Sequence, residues 1–210
     1  MRVDRSTVAT HRAAILQAAG RLFRRRGIAA VPVAEVTRAA GLTHGAFYGH
    51  FASKEALAAE TCRDSLEAAA RRWVARAGRA RARGREPLAS LIDGYLSERH
   101  RDAPEEGCVL AALGPEIARA GPPLAGALGD GVAALTAVLE QELRHRHPTW
   151  PAAACRQGAL AILAVLTGGI ILARACRADP VRSRAALDAA AKLARDAAGL
   201  PPEANSMESP

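Results

Sequence analysis

Residues 33–54 read VAEVTRAAGLTHGAFYGHFASK, and this stretch decides the fold. Its apolar spacing predicts a short helix over Val33–Ala40, a turn on Gly41, and a second short helix over Thr43–Phe51 opened by Thr43. Two short helices joined by a glycine turn form a helix-turn-helix, in which the first helix buttresses the second and the second enters the DNA major groove. Val36, Ala40, Leu42 and Phe47 are spaced to form a small core between these helices and the one before them. Thr43, His44, Gly45, Tyr48 and His50 point away from that core: donors, an aromatic ring, and a glycine that lets backbone come close to DNA. Lys54, beside the N–H groups that open the next helix, makes a seat for a phosphate.

Outward from this stretch the chain reads as helix throughout. Before it, Thr10 can cap a helix over His11–Arg26, with Ala14, Ile15, Ala18, Leu22 and Phe23 on one face and Gly27 ending it. After it, Ser53 opens a long helix reaching about Arg81, although Ala56 denies it a full capping box. Further helices are expected at Leu88–Arg99, Cys108–Ala120, Leu124–His145, Pro151–Ala178 and Val181–Ala198. Loops are expected at His100–Gly107 and at the Gly121-Pro122-Pro123 break, and the tail 201–210 reads as disordered. About nine helices and no strand make an all-α protein.

Composition agrees. Of 210 residues half are hydrophobic, only 3% are aromatic, and alanine, leucine and valine dominate, which argues against a β-sandwich or a disulfide scaffold. Cys62, Cys108, Cys155 and Cys176 contain no CxxC pair and no histidine at zinc-finger spacing, so they read as reduced, cytosolic thiols. The start, MRVDRSTVATHR, has no apolar h-region, so no secretory signal is expected. The longest uncharged run, Gln157–Ala173, is 17 residues and falls short of the ~20 needed to span a bilayer, so it reads as a buried helix and the chain as cytoplasmic.

Charge is concentrated where the motif is. The formal net charge is +8, and residues 1–53 carry eight arginines (Arg2 and Arg5 the first two) against Asp4 and Glu35, or +6. A small basic head on a near-neutral body implies a polyanion-binding module joined to something else, with 1–53 as DNA-binding domain and 54–200 as a second domain. Arg71–Arg85, with seven arginines, reads as a solvated helix end and linker. No paired carboxylates, activated serine, phosphate loop or metal cluster point to catalysis or a cofactor, so the chain reads as no enzyme.

GIAAVPVAEVTRAAGLTHGAFYGHFASKEAL, residues 27–57, with ILQAAGRLFRRRG before it, resembles the N-terminal domain of the TetR family of bacterial one-component transcriptional repressors. The resemblance covers roughly the first quarter of the chain. It implies a homodimer whose last two long helices pack as a four-helix bundle, a palindromic double-stranded DNA operator, and a small-molecule effector pocket in the helical body. By position, Thr43, Tyr48 and Lys54 resemble the family's phosphate contacts, and His44 and Gly45 fall where base edges are read. His50 stands where the family has the histidine ending the recognition helix, and Tyr48 is expected to lie partly against Phe51. The chain departs from the pattern at Val31-Pro32, where the family places a Thr-Ser or Thr-Thr pair. The cap oxygen is lost, at about 1 kcal/mol, and Arg38 on the same helix stands to compensate.

In the body, Cys108 follows Arg99, His100 and Arg101 at a helix start, where a thiolate is favoured. Its surroundings also resemble a subset of the family that includes cysteine-based sensors of electrophiles and oxidants; plain packing is the alternative. Cys155 and Cys176 are about 30 Å apart on a rigid helix and form no redox pair. Gly168-Gly169 beside Thr167 permits close approach of another backbone, and Ala185, Leu187, Ala191, Leu193 and Ala194 form a small-residue face, both fitting a dimer interface or an ordinary core. Trp73, Tyr95, Thr136, Trp150 and Gln157 are the candidate pocket residues, in surroundings of alanine and leucine that favour an apolar effector. A non-specific architectural DNA-binding protein is the competing reading; salt-dependent binding without sequence preference would mark it.

Overall fold

The computed structural model describes residues 5–201, so Arg2 and the expected disorder of 202–210 lie outside the described residues. Nine α-helices and two short 3₁₀ turns follow one another, with no strand among the described residues. The described residues form two compact units, one from residues 5–70 and 103–134, the other from 71–102 and 135–201.

In the first unit α1 runs Arg5–Arg26, longer than expected. Thr10 is inside it rather than capping it, its hydroxyl donating to the Ser6 carbonyl at 2.9 Å. Ile15, Ala18, Ala19 and Phe23 are its buried stripe, with Ala14 and Leu22 half-buried. α2 is Val33–Ala39, with Pro32 as its N-cap residue and no side-chain cap bond. It ends in a Schellman motif: Leu42 N–H bonds Thr37 C=O at 2.8 Å and Gly41 N–H bonds Arg38 C=O at 3.0 Å. Gly41, at φ +74°, supplies the left-handed residue that this turn requires.

The recognition segment departs from expectation. His44–Gly49 is a 3₁₀ helix, and Thr43, its N-cap residue, makes no side-chain cap bond. Gly45 and Gly49 within six residues leave too little helical propensity for an α-helix, so the tighter i→i+3 turn forms. α3, Lys54–Ala82, follows directly, and Ser53 caps it by accepting from Ala56 N–H at 3.1 Å. The 3₁₀ turn Pro104–Glu106 and α6, Val109–Ile117, complete this unit with the first part of α7, Pro122–Arg146. α6 starts one residue later than expected and stops three earlier, with Cys108 as its N-cap residue. Pro122 and Pro123, read as a break, form the first turn of α7, where their missing N–H groups cost nothing. Gly131 lets α7 pass over Leu66, whose side chain a Cβ there would overlap.

In the second unit the helix expected to reach Arg99 is two: α4, Pro87–Tyr95, and α5, Glu98–Asp102. α8, Ala152–Ala175, and α9, Pro180–Ala197, pack side by side. A Cβ on Gly169 would stand 2.4 Å from the Ala190 Cβ, so glycine there sets how closely the two helices approach. The Ser183 hydroxyl, buried, donates to the Ala173 carbonyl at 2.7 Å and ties the start of α9 to the end of α8. Leu187 and Ala194 of the expected small-residue face are buried, whereas Ala185 and Leu193 are exposed. α8 is not the wholly buried helix its composition implied. Ile162, Leu163, Leu166 and Ile170 are buried, but Leu160, Ile171 and Leu172 are exposed with Ala161 and Ala164. α7 and α8 are long and apolar enough to cross a bilayer, by length and composition alone.

Candidate nucleic-acid interface

The recognition turn stands on two stacked phenylalanines. Phe47 and Phe51 lie with ring centroids 5.7 Å apart, 1% and 4% exposed. Each aromatic pair of this kind adds to the apolar area it buries. Thr43, His44, Gly45 and Tyr48 are exposed around them, four of the five residues expected to point outward. Tyr48 is 65% exposed. Its ring lies edge-on to Phe47 at 5.2 Å and to His44 at 5.8 Å, so it is braced by Phe47 and not by Phe51, as had been expected. The two ring contacts brace the side chain while most of it stays exposed.

His50 is placed differently. Half-buried, it meets His11 edge-on at 6.2 Å, and its carbonyl accepts from the Arg12 guanidinium at 2.8 Å. Arg12 also pairs with Glu60 and lies over the Phe51 ring at 4.4 Å. One side chain of α1 thus fastens the end of the recognition turn and the start of α3. Arg38 is exposed near the end of α2. Lys54 is half-buried and donates to the Ala29 carbonyl at 3.1 Å. That uses one of its three ammonium hydrogens and leaves two for an anion.

The connection before α2 is held from α6. The Glu116 carboxylate accepts from Ile28 N–H at 2.9 Å and Ala29 N–H at 2.8 Å. Arg24 donates to the Glu105 carbonyl at 2.8 Å and to the Ser65 hydroxyl at 3.2 Å. Neither Arg12 nor Glu116 was singled out from the sequence. Their partners lie 38 to 88 residues away, and no local pattern marks such pairs.

Of the candidate effector contacts, Trp73 and Tyr95 meet edge-on at 5.9 Å, and Tyr95 meets His100 at 4.5 Å. Trp150 instead stacks on His147, 3.8 Å away and nearly parallel. Thr136 is half-buried and Gln157 exposed on α8. Cys108 is buried, 8% exposed. Arg101 pairs with Asp102, and the His100 ring bonds the Tyr95 carbonyl at 2.7 Å. Burial pushes the Cys62 thiol up to about 12, so it is protonated at neutral pH. No group of histidine, cysteine and carboxylate side chains among the described residues is arranged to hold a metal ion.

Comparison with known proteins places this geometry. The family described as bacterial regulatory proteins, tetR family, matches residues 15–61, which contain most of α1, all of α2, the recognition turn and the start of α3. The HTH-type transcriptional repressor KstR2 of Mycolicibacterium smegmatis is 39% identical over 62 residues, a stretch spanning 30% of this chain and 30% of the relative. The fold extends further. E. coli NemR in its reduced form superposes with a TM-score of 0.72 at 21% identity, covering 89% of this chain and 96% of that one. A TetR-family transcriptional regulator from Cytophaga hutchinsonii gives 0.73 at 20% identity, covering 94% and 98%. Residues 15–61, which build the recognition turn, thus match the tetR family of bacterial regulatory proteins, and the helical fold that continues from them is the one those solved regulators share.

Proposed function

We propose that the chain is a transcriptional repressor that binds a palindromic DNA operator as a homodimer and is released by a small, mostly apolar effector. One observation carries the reading: four exposed residues, Thr43, His44, Gly45 and Tyr48, stand on a rigid aromatic pair inside the family-matched region. Residues 1–53 form the DNA-binding head and 54–200 the effector-binding and dimerising body, a cytoplasmic arrangement. The recognition turn enters the major groove. His44 and the bare backbone at Gly45 read base edges, while Thr43, Tyr48 and Lys54 hold phosphates and Arg38 adds charge. His50 serves chiefly to pin the end of the turn.

The dimer reading is supported by the open face of α8 and α9. Five of the nine exposed large apolar side chains, Leu160, Ile171, Leu172, Val181 and Leu193, lie on these two helices. Gly168 also has open space where a Cβ would stand. Apolar area of this kind is what a second copy would cover. Two heads then meet half-sites about one turn of DNA apart, and an effector that prefers another spacing of the heads weakens binding by population shift. The Trp73–Tyr95 contact is the centre of the candidate effector site.

Selecting duplexes from a random pool with the purified chain tests the proposal. Enrichment of an inverted repeat supports it; a pool that stays random marks an architectural DNA-binding protein instead. A second reading, a thiol switch at Cys108, draws on its place as N-cap residue of α6. Alkylation that abolishes DNA binding by the wild type but not by Cys108→Ser would establish the switch. Binding that survives alkylation leaves Cys108 as packing.

A further inference from the structure

The seven-residue helix α2 starts without a side-chain cap, because Pro32 offers only its carbonyl, which accepts from Glu35 N–H at 3.0 Å and Val36 N–H at 3.3 Å. A helix this short has little of its own to fix where it begins. What holds the connection in front of it comes from far along the chain. Each oxygen of the Glu116 carboxylate, on the last turn of α6, takes one backbone N–H of that connection, Ile28 and Ala29. Lys54 takes the Ala29 carbonyl from α3. Ala29 therefore has its N–H on an anion and its C=O on a cation. Gly27, at φ +85°, closes the arrangement: a Cβ on it would stand 3.0 Å from a Glu116 oxygen. Ile28 and Val31 are buried, 9% and 0% exposed, so the connection is seated on its apolar side as well.

We infer that Glu116 is a positioning residue of the DNA-binding head: its carboxylate pins the connection that leads into the uncapped α2 and so holds α2, with Arg38 and the recognition turn behind it, in one register for DNA. The inference rests on the DNA-binding reading above. It requires a carboxylate and not merely a polar side chain, since both oxygens accept. A glutamine keeps one acceptor and turns N–H groups toward the other donor.

The test is a double-mutant cycle of Glu116→Gln and Pro32→Ser, read as the ratio of affinity for the selected operator to that for a scrambled duplex, at matched salt and a temperature where every variant is folded. Removing a negative charge alone raises affinity for both duplexes alike and leaves the ratio unmoved. Loss of positioning lowers the ratio, by roughly tenfold for one charge-assisted hydrogen bond, with the salt slope unchanged. Serine at 32 restores the side-chain cap, so it recovers most of the ratio in the Glu116→Gln chain and adds little in the wild type. An unchanged ratio in Glu116→Gln overturns the inference, as does an equal gain from serine in both backgrounds, which would mark an independent phosphate contact. If the wild type itself fails to distinguish the duplexes, the DNA-binding reading fails. Amide exchange at Ile28 and Ala29 then decides alone: faster exchange in Glu116→Gln supports positioning, and unchanged exchange overturns it.

Discussion

At the scale of single residues, exposure and bracing separate contact from support. His44 is exposed and braced by Tyr48. His44→Ala therefore costs about 1 kcal/mol of discrimination at one operator position, measured by binding to operators altered there, and leaves affinity for scrambled DNA unchanged. Cys62 is the opposite case. With its thiol pushed up to about 12 by burial, it escapes iodoacetamide at pH 8 in the folded chain, while half-buried Cys176 is modified. Mass spectrometry of the digest checks this. The exposure of Thr43, His44, Gly45 and Tyr48 was legible because spacing puts them opposite Val36 and Phe47, whereas His50, expected to join them, is half-buried against His11. Arg12 and Glu116 were not legible, because each acts on backbone atoms distant in sequence, and any residue type supplies those atoms.

At the scale of elements, the helices were legible and their ends less so. Apolar period with glycine and proline stops located α1, α2, α3, α8 and α9. The recognition segment read as an α-helix because its apolar spacing suits one, yet its two glycines tip it to the 3₁₀ form. The helix expected to run to Arg99 breaks after Tyr95, and its continuation is the short α5. His100 of α5 is held there. Burial lowers its pKa below 6.5 and Arg174 lowers it further, while the bond to the Tyr95 carbonyl opposes both. Because the folded chain prefers the neutral ring, the unfolded chain takes up its proton first as pH falls. This contribution to stability is complete above about pH 6.5 and is lost as pH falls through the lowered folded value. The urea midpoint should therefore drop between pH 7.5 and 5.5, and by less in His100→Asn, whose side-chain amide can still donate to the Tyr95 carbonyl.

At the scale of the whole molecule, residues 1–53 carry a net charge of +6, and α8 and α9 leave an apolar face open. The fold around the recognition turn was legible in one motif. The body was legible only as helices, because alanine and leucine fill buried and exposed positions alike. Thus the sequence could not say which half of α8 faces out. Leu172 lies on the open face, 60% exposed, so with the proposed dimer Leu172→Glu should give a folded monomer by sedimentation and the wild type a dimer. A wild-type monomer would remove the dimer from the account.

The most direct test of the central claim is fluorescence anisotropy of a labelled duplex from upstream of the chain's own gene, against a scrambled duplex of equal length, at matched salt. The account predicts tighter binding to the upstream duplex, by about 10³-fold or more at physiological salt, with a linear fall in log affinity against log salt. Equal affinity for both duplexes across the salt series would contradict it, leaving a basic protein that binds DNA without reading it.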